Sequence, residues 1–430
     1  MAQQAGDGEP ASRWGTLAGY AAIAACTQLL WLTYAPITTD AAAHYGVSEG
    51  AIGWLANVFP LLYVVLGIPA GRLLDRSMRA WLAVGAVLTA AGGLVRLAGH
   101  GFGVAVAGQL LVAVAQPLVL NAVTALASCY LAHRHRATGI ALGSASLFVG
   151  MIVAFVLGVA IGASRMTTLL AVQAVLAVAA AVAVLVTLRR PGPFTALTDG
   201  GAGFDGSGEA DAAAEAGPVG AAPGAVRRLW ADVLVRRLVL LVTLGFGVFI
   251  ALTTWLQPLL KPAGVSTGAA GALLLGMVAA GTAGSALLPA WAAARGRRTD
   301  VIRLSVAVTV AGCTVLAVVP GVATAAVAVC VIGFLLLADL PILLEVAEGR
   351  PGGDAATLAA LVWLAGNAGG MVVSLAVQGL LHHPAGAFAL LAVVLLAGLP
   401  VLRTRWLDAP PAGAAPTVPS QPANEAVQSG

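Results

Sequence analysis

Residues 71–80 read GRLLDRSMRA and set Arg72, Asp75, Arg76 and Arg79 between two long apolar runs, 51–71 and 80–98. Only 9% of the 430 residues are charged, so four charges in ten positions mark a place where the chain meets water. Each flanking run is close to the ~20 residues that carry a helix across the ~30 Å hydrocarbon core of a bilayer. The stretch therefore reads as a short polar loop joining two membrane-spanning helices.

Outward from that loop the pattern repeats. Further apolar runs lie near 14–36, 102–128, 137–161, 166–188, 237–260, 268–293, 301–319, 322–345, 356–381 and 386–402, twelve in all. The chain is 60% hydrophobic with a mean hydropathy of +0.95. In lipid a helix satisfies every backbone hydrogen bond within itself, so the expectation is an all-α membrane protein of twelve transmembrane helices. The segment before Trp14 carries Asp7, Glu9 and a single base, Arg13, and no A-x-A-like site follows the first run, which is expected to remain as a spanning helix.

Basic residues are expected to stay on the cytoplasmic side. Placing the N-terminus there leaves all but Arg96, Arg165 and Lys261 of the 22 Arg and Lys inside, so both termini are expected in the cytoplasm. No aromatic-interleaved basic patch accompanies them, and no nucleic-acid partner is expected. Residues 191–226 are rich in Gly, Ala and Pro and read as a disordered linker. The expected organisation is a cytoplasmic N-terminal tail (1–13), a six-helix half (14–190), a linker (191–236), a second six-helix half (237–403) and a disordered tail (404–430). The loop after the second span of the second half, PAWAAARGRR at 289–298, repeats the arginines of GRLLDRSMRA, which suggests two homologous halves.

These features resemble the major facilitator superfamily, whose signature after the second span is Gly-x-x-x-Asp-Arg-x-Gly-Arg-Arg or similar. Gly71, Asp75, Arg76 and Arg79 match it, with Met78 and Ala80 departing; in the second half Gly296, Arg297 and Arg298 match, while Pro289 and Ala293 replace glycine and aspartate. The resemblance implies a two-half fold moving solute by alternating access. Gly71, Asp75, Arg76, Arg79, Arg297 and Arg298 are then expected to gate it. Physically, Gly71 permits close helix approach, Asp75 can accept from helix N-terminal amides or an arginine, and the arginines sit at headgroup level.

Polar side chains inside the runs are costly in lipid and usually face a cavity or a partner helix. The first run places Thr27, Trp31 and Tyr34 on one face; the fourth places Gln109 and Gln116 on one face, beside Pro117; the seventh carries Trp255 and Gln257; the eleventh sets Trp363, Asn367, Ser374 and Gln378 on one stripe. Trp31, Tyr34, Gln116, Trp255, Gln257 and Asn367 are the expected substrate contacts. Asp339, alone in the apolar tenth run and followed by Pro341, is the expected proton- or cation-coupling residue. No deep arginine is apparent, which favours a cation over an anion.

A narrower resemblance rests on LLWLTYAPI, IGWLANVFPLLYVVLGIPAGRLLDR, GQLLVAVAQPLVLNAV and LPILLE. These pieces resemble the feline leukaemia virus subgroup C receptor-related branch, which includes choline and haem-linked transporters. That resemblance implies that Trp31 and Gln116 contact a cationic substrate, and it sets Ile250 where the branch has a seventh-span tyrosine.

Other chemistries lack their residues. Lys261, the only lysine, precedes Pro262, so no phosphate-binding G-K-[ST] loop is present. Gly264-Val265-Ser266-Thr267-Gly268 matches G-x-S-x-G but precedes an apolar helix, where Ser266 is expected to cap. His133 and His135 alternate with arginines in a loop, without ligand spacing, and Cys26, Cys129, Cys313 and Cys330 lack paired spacing. Neither enzyme, metal nor cofactor is expected. The sequence thus points to a monomeric secondary active or facilitative transporter of a small organic solute, an organic cation in preference, in contact with lipid and with protons as a candidate coupling ion. A proton-coupled carrier or exporter of a small organic anion or drug-like compound is the alternative, and a membrane sensor or channel the rival class. The preference for Arg over Lys suggests a GC-rich genome and hence a bacterial inner (plasma) membrane.

Overall fold

A computed structural model of the chain describes residues 10–194, 229–348 and 355–408. Among them are 12 helical segments long and apolar enough to cross a membrane. The first half holds spans one to six: Trp14–Trp31 extended by a short helix Thr38–Tyr45, Glu49–Arg76, Met78–Val95, Phe102–Leu120 extended by Val123–Tyr130, His133–Ile161 and Met166–Leu188. The second holds Val233–Leu260, Thr267–Arg295, Arg298–Val318, Val322–Glu348, Ala355–Gln378 and Pro384–Leu396. Most of the expected linker and of both expected tails lies outside the described residues.

Lipid explains which apolar side chains face outward. Val65, Val87, Val182, Leu287, Val327 and Val393 are all exposed on the flanks of spans, a pattern that would be a liability in water and is the norm against acyl chains. Between helices, small residues allow backbone approach. A side chain on Gly150 would overlap the Ala25 carbonyl of the first span, and one on Gly284 would overlap the Phe334 carbonyl of the tenth.

Two runs expected to be continuous are broken, and each break has a local cause. The first helix ends at Trp31, and a 3-10 turn at Ala35–Ile37 precedes the short helix. Pro36 has no N–H to give, so carbonyls near it need other donors. The Thr33 hydroxyl donates to Leu30 O at 2.9 Å, and that of Thr38 to Tyr34 O at 3.1 Å. The fourth span stops at Leu120, three residues after Pro117, and restarts at Val123. Asn121 at the break is tied to the second span: its Nδ2 donates to Gly67 O at 3.2 Å, and Tyr63 OH donates to its Oδ1 at 2.7 Å.

An internal repeat fixes how the halves meet. GVSEGAIG (46–53) opens the second span and GVSTGAAG (264–271) opens the eighth. In both, a glycine with positive φ, Gly46 at 66° and Gly264 at 76°, makes the turn that side chains disfavour. In both, a serine caps the helix: Ser48 Oγ accepts from Ala51 N at 3.1 Å and Ser266 Oγ from Ala269 N at 3.3 Å. The last glycine of each copy then meets the opposite half. Gly53 lies under the Trp255 ring of the seventh span, and Gly271 lies against Pro36 and Val159 of the first half.

Candidate functional site

We call the face bearing Trp14 and both arginine loops the near face, and its opposite the far face. Among the described residues, the polar bonds that join the halves gather towards the far face. Lys261 Nζ pairs with Glu49 Oε1 at 3.2 Å, and Thr39 N donates to Gln257 Oε1 at 2.9 Å. Deeper, Trp255 Nε1 donates to Ser374 Oγ at 2.8 Å, and Ser374 Oγ donates to Asn57 Oδ1 at 2.7 Å, so seventh, eleventh and second spans are linked in series.

Towards the near face of this seal the halves part around a cavity enclosing about 900 Å³, open water at its mouth included. Its wall is mostly apolar and aromatic: Trp31, Tyr63, Phe148, Phe246, Phe249 and Trp363 contribute. Phe246 meets Trp363 edge-on with ring centres 6.0 Å apart, and Phe249 at 5.9 Å. Polar groups are few, namely Gln28, Gln116, Asn367, Asp339 and the hydroxyl of Tyr63 already given to Asn121. Asp339 is 8% exposed; Ser305 Oγ donates to its Oδ2 at 2.7 Å, while Oδ1 has no partner among the described residues. Among the described residues, no Arg, Lys or His lines the cavity.

The expected contacts divide. Trp31, Gln116, Asn367 and Asp339 come together on the wall. Trp31 Nε1 is held by Ala56 O at 2.9 Å, which fixes its ring, and Asn367 Nδ2 donates to Trp363 O at 3.0 Å. The Gln116 side chain has no partner among the described residues and is free to bond a ligand. Three expected contacts are corrected. Trp255 and Gln257 belong to the far seal, because Trp255 Nε1 donates to Ser374 and Gln257 Oε1 accepts from Thr39 N. Tyr34 lies beyond the first-span break, in a separate cluster with Ile37 and Ile52, its hydroxyl 3.3 Å from that of Tyr45. Ile250, at the place of the branch's tyrosine, packs against Gly370 outside the cavity, but its neighbour Phe249 and Phe246 one turn earlier present aromatic rings there. Gln28, Tyr63, Phe246, Phe249 and Trp363 were not singled out as contacts; Gln28 carried a signal, since it is polar and lies one turn short of Trp31.

One further expectation fails. Arg96, assigned to an outer loop, is only 1% exposed and bonds Thr33, Gln109 and Gln173. The chain therefore does hold a buried arginine. It sits in the first half near the far face, apart from the central cavity. Gln109, expected to share a face with Gln116, is drawn into this cluster instead.

Residues 19–374 match the sequence model of the Major Facilitator Superfamily. The chain belongs to that superfamily. Zebrafish (Danio rerio) Solute carrier family 49 member A3 is 28% identical over 71% of this chain and 64% of its own length. Human choline/ethanolamine transporter FLVCR2 is 32% identical over 27% of this chain and 23% of its own. The chain thus spans just under two thirds of the zebrafish relative and aligns with about a quarter of the human one. Among solved structures, a bacterial homologue of the human lysosomal transporter Spinster, described as inward-facing and unoccupied, superposes with a TM-score of 0.68 at 15% identity, over 92% of this chain and 95% of that one. The fold is therefore that of a major facilitator transporter, a family of carriers and not of enzymes.

At the near face, the residues of the superfamily's loop signature bond within their own halves. Arg79 donates from Nη2 to Leu188 O at 2.7 Å and to Arg189 O at 3.1 Å, capping the sixth span. Asp75, Arg72 and Arg76 are exposed, and Gly71 is buried. In the second half the capping task falls to Arg303, which donates from Nε to Leu402 O at 2.9 Å at the end of the chain's last span. Arg298 bonds Glu345 Oε1 at 2.7 Å, and Arg297 is exposed. At the start of the ninth span, Asp408 Oδ1 accepts from Arg298 N at 2.7 Å.

Proposed function

We propose that this protein carries a small organic cation across a membrane by alternating access, binding it in the central cavity between Asp339 and the rings of Trp31, Phe246, Phe249 and Trp363. The observation that carries the reading is the charge balance of the wall: among the described residues it holds one carboxylate with a free oxygen, several aromatic faces and no base. A cation against a ring face gains about 0.5–2 kcal/mol, and a desolvated carboxylate adds more. The relative named as a choline/ethanolamine transporter agrees with that chemistry. With the near face cytoplasmic, as the basic loops favour, the conformation is inward-facing, and a bacterial inner membrane fits the composition. An anionic substrate finds no basic partner among the described residues of the wall. Thermal unfolding of the purified protein against a panel of organic cations and anions tests this: cations are expected to raise the melting temperature by several degrees, and stabilisation by anions alone would overturn it.

We assign gating to the near-face loop. Asp75 has no partner among the described residues, and when the near face closes its carboxylate becomes available to the arginines and helix amides that approach from the other half. Asp75→Asn is therefore expected to slow initial uptake several-fold with the melting temperature little changed. Wild-type uptake rates in that variant would remove Asp75 from the gate.

A further inference from the structure

We propose that Arg96 is the charged floor of a second ligand site, on the far face of the first half, that takes a small inorganic anion of chloride to phosphate size. Arg96 closes the third span, and its stem is pressed against Gly108, where no side chain would fit. Its guanidinium donates from Nη1 to Thr33 Oγ1 at 3.0 Å and Gln109 Oε1 at 3.4 Å, and from Nη2 to Gln173 Oε1 at 3.2 Å. All three partners are neutral. The Gln109 amide nitrogen is held by Leu30 O at 3.0 Å and Leu55 O at 3.3 Å, so its oxygen is committed to the arginine. Arg96 Nε has no partner among the described residues, and no carboxylate pairs with the group. Buried charges are ordinarily paired with an opposite charge. This one is paired by no carboxylate among the described residues.

The same arginine lines a small pocket, about 260 Å³ with open water at its mouth included, that is separate from the central cavity. Around it stand His44, Tyr45, His100 and Thr167, all able to donate a hydrogen bond, and among the described residues no acidic one. A buried guanidinium at the floor and neutral donors at the rim make a setting in which an anion supplies the missing charge. The pocket is too small for an elongated organic substrate. Its position on the far face, where the first span breaks at Thr33 and Tyr34, also keeps it clear of Asp339.

The test is thermal unfolding of the purified full chain in a lipid-free detergent, at constant ionic strength, with gluconate exchanged for chloride and, separately, for inorganic phosphate. The site predicts a saturable rise of about 3 °C with one of these ions. Arg96→Gln abolishes the response; because that change removes a buried tie and can itself unfold the chain, His100→Ala and Tyr45→Phe serve as rim variants, each expected to raise the half-saturating concentration about tenfold. Asp339→Asn should lose the response to organic cations and keep the response to chloride, so failure here and failure of the transport reading are distinguishable. A rise with phosphatidylglycerol and with neither free ion assigns the anion to a lipid headgroup and still supports the site. Melting temperatures that ignore chloride, phosphate and the anionic lipid alike, or a full response retained in both rim variants, overturn it.

Discussion

Asp339→Asn is expected to weaken binding of an organic cation about a hundredfold while leaving the fold intact. The amide keeps the size of the carboxylate and can still accept from Ser305 Oγ, which now donates at 2.7 Å. What it removes is the one carboxylate among the described residues of the cavity wall. Losing one partner of a desolvated charge pair costs about 2–5 kcal/mol, and each ~1.4 kcal/mol is tenfold in affinity, so the range brackets a hundredfold. Stability moves little, since an isolated carboxylate in lipid is itself costly and its replacement by a neutral amide relieves that cost. Titration calorimetry on wild type and variant with the same tetraalkylammonium salt checks this. Affinities within threefold of one another would remove Asp339 from the site.

Gly53→Ala is expected to open the far seal. A methyl group at this position overlaps the Trp255 ring, whose indole nitrogen is already fixed on Ser374. The ring cannot withdraw without breaking the Trp255–Ser374–Asn57 series and leaving buried polar atoms unmade. Overpacking of this kind costs about 1–3 kcal/mol, and the cost falls only on the far-closed state, because Gly53 and Trp255 belong to different halves and separate when the far face opens. The population is therefore expected to move tenfold or more towards the far-open state. Spin labels on exposed far-face positions of the two halves read the change as a longer distance. An unchanged distance distribution would show that the seal tolerates the methyl and that Trp255 is not its keystone.

Much of this architecture is legible in the sequence, because bilayer thickness fixes span length and lipid forbids charge between loops. Runs around GRLLDRSMRA therefore gave twelve crossings, and the arginines gave the two-half plan. The helix breaks were less legible. Pro36 and Pro117 are visible, but whether a proline kinks or interrupts a helix depends on which side chains take the freed carbonyls, and Thr33 and Asn121 act through partners in space. Arg96 was misplaced for a related reason: burial of that charge needs Thr33, Gln109 and Gln173 from three other spans, and counting bases loop by loop cannot see them meet. Trp255 and Gln257 showed that the seventh span has a polar face, yet a face turned to a seal and one turned to a cavity look alike in one dimension. The GVSEGAIG and GVSTGAAG repeat was present to be read. It was hidden by its second copy resembling a nucleophile motif, and its meaning, two glycines each accepting the opposite half, appeared only with the contacts.

Transport of an organic cation is the decisive property. Reconstituted into liposomes, the protein is expected to take up a labelled quaternary ammonium or primary amine with saturation, to exchange it against an internal load of the same compound, and to lose both with Asp339→Asn. Saturable uptake of labelled organic anions, with no uptake of any cation and no effect of Asp339→Asn, would contradict it.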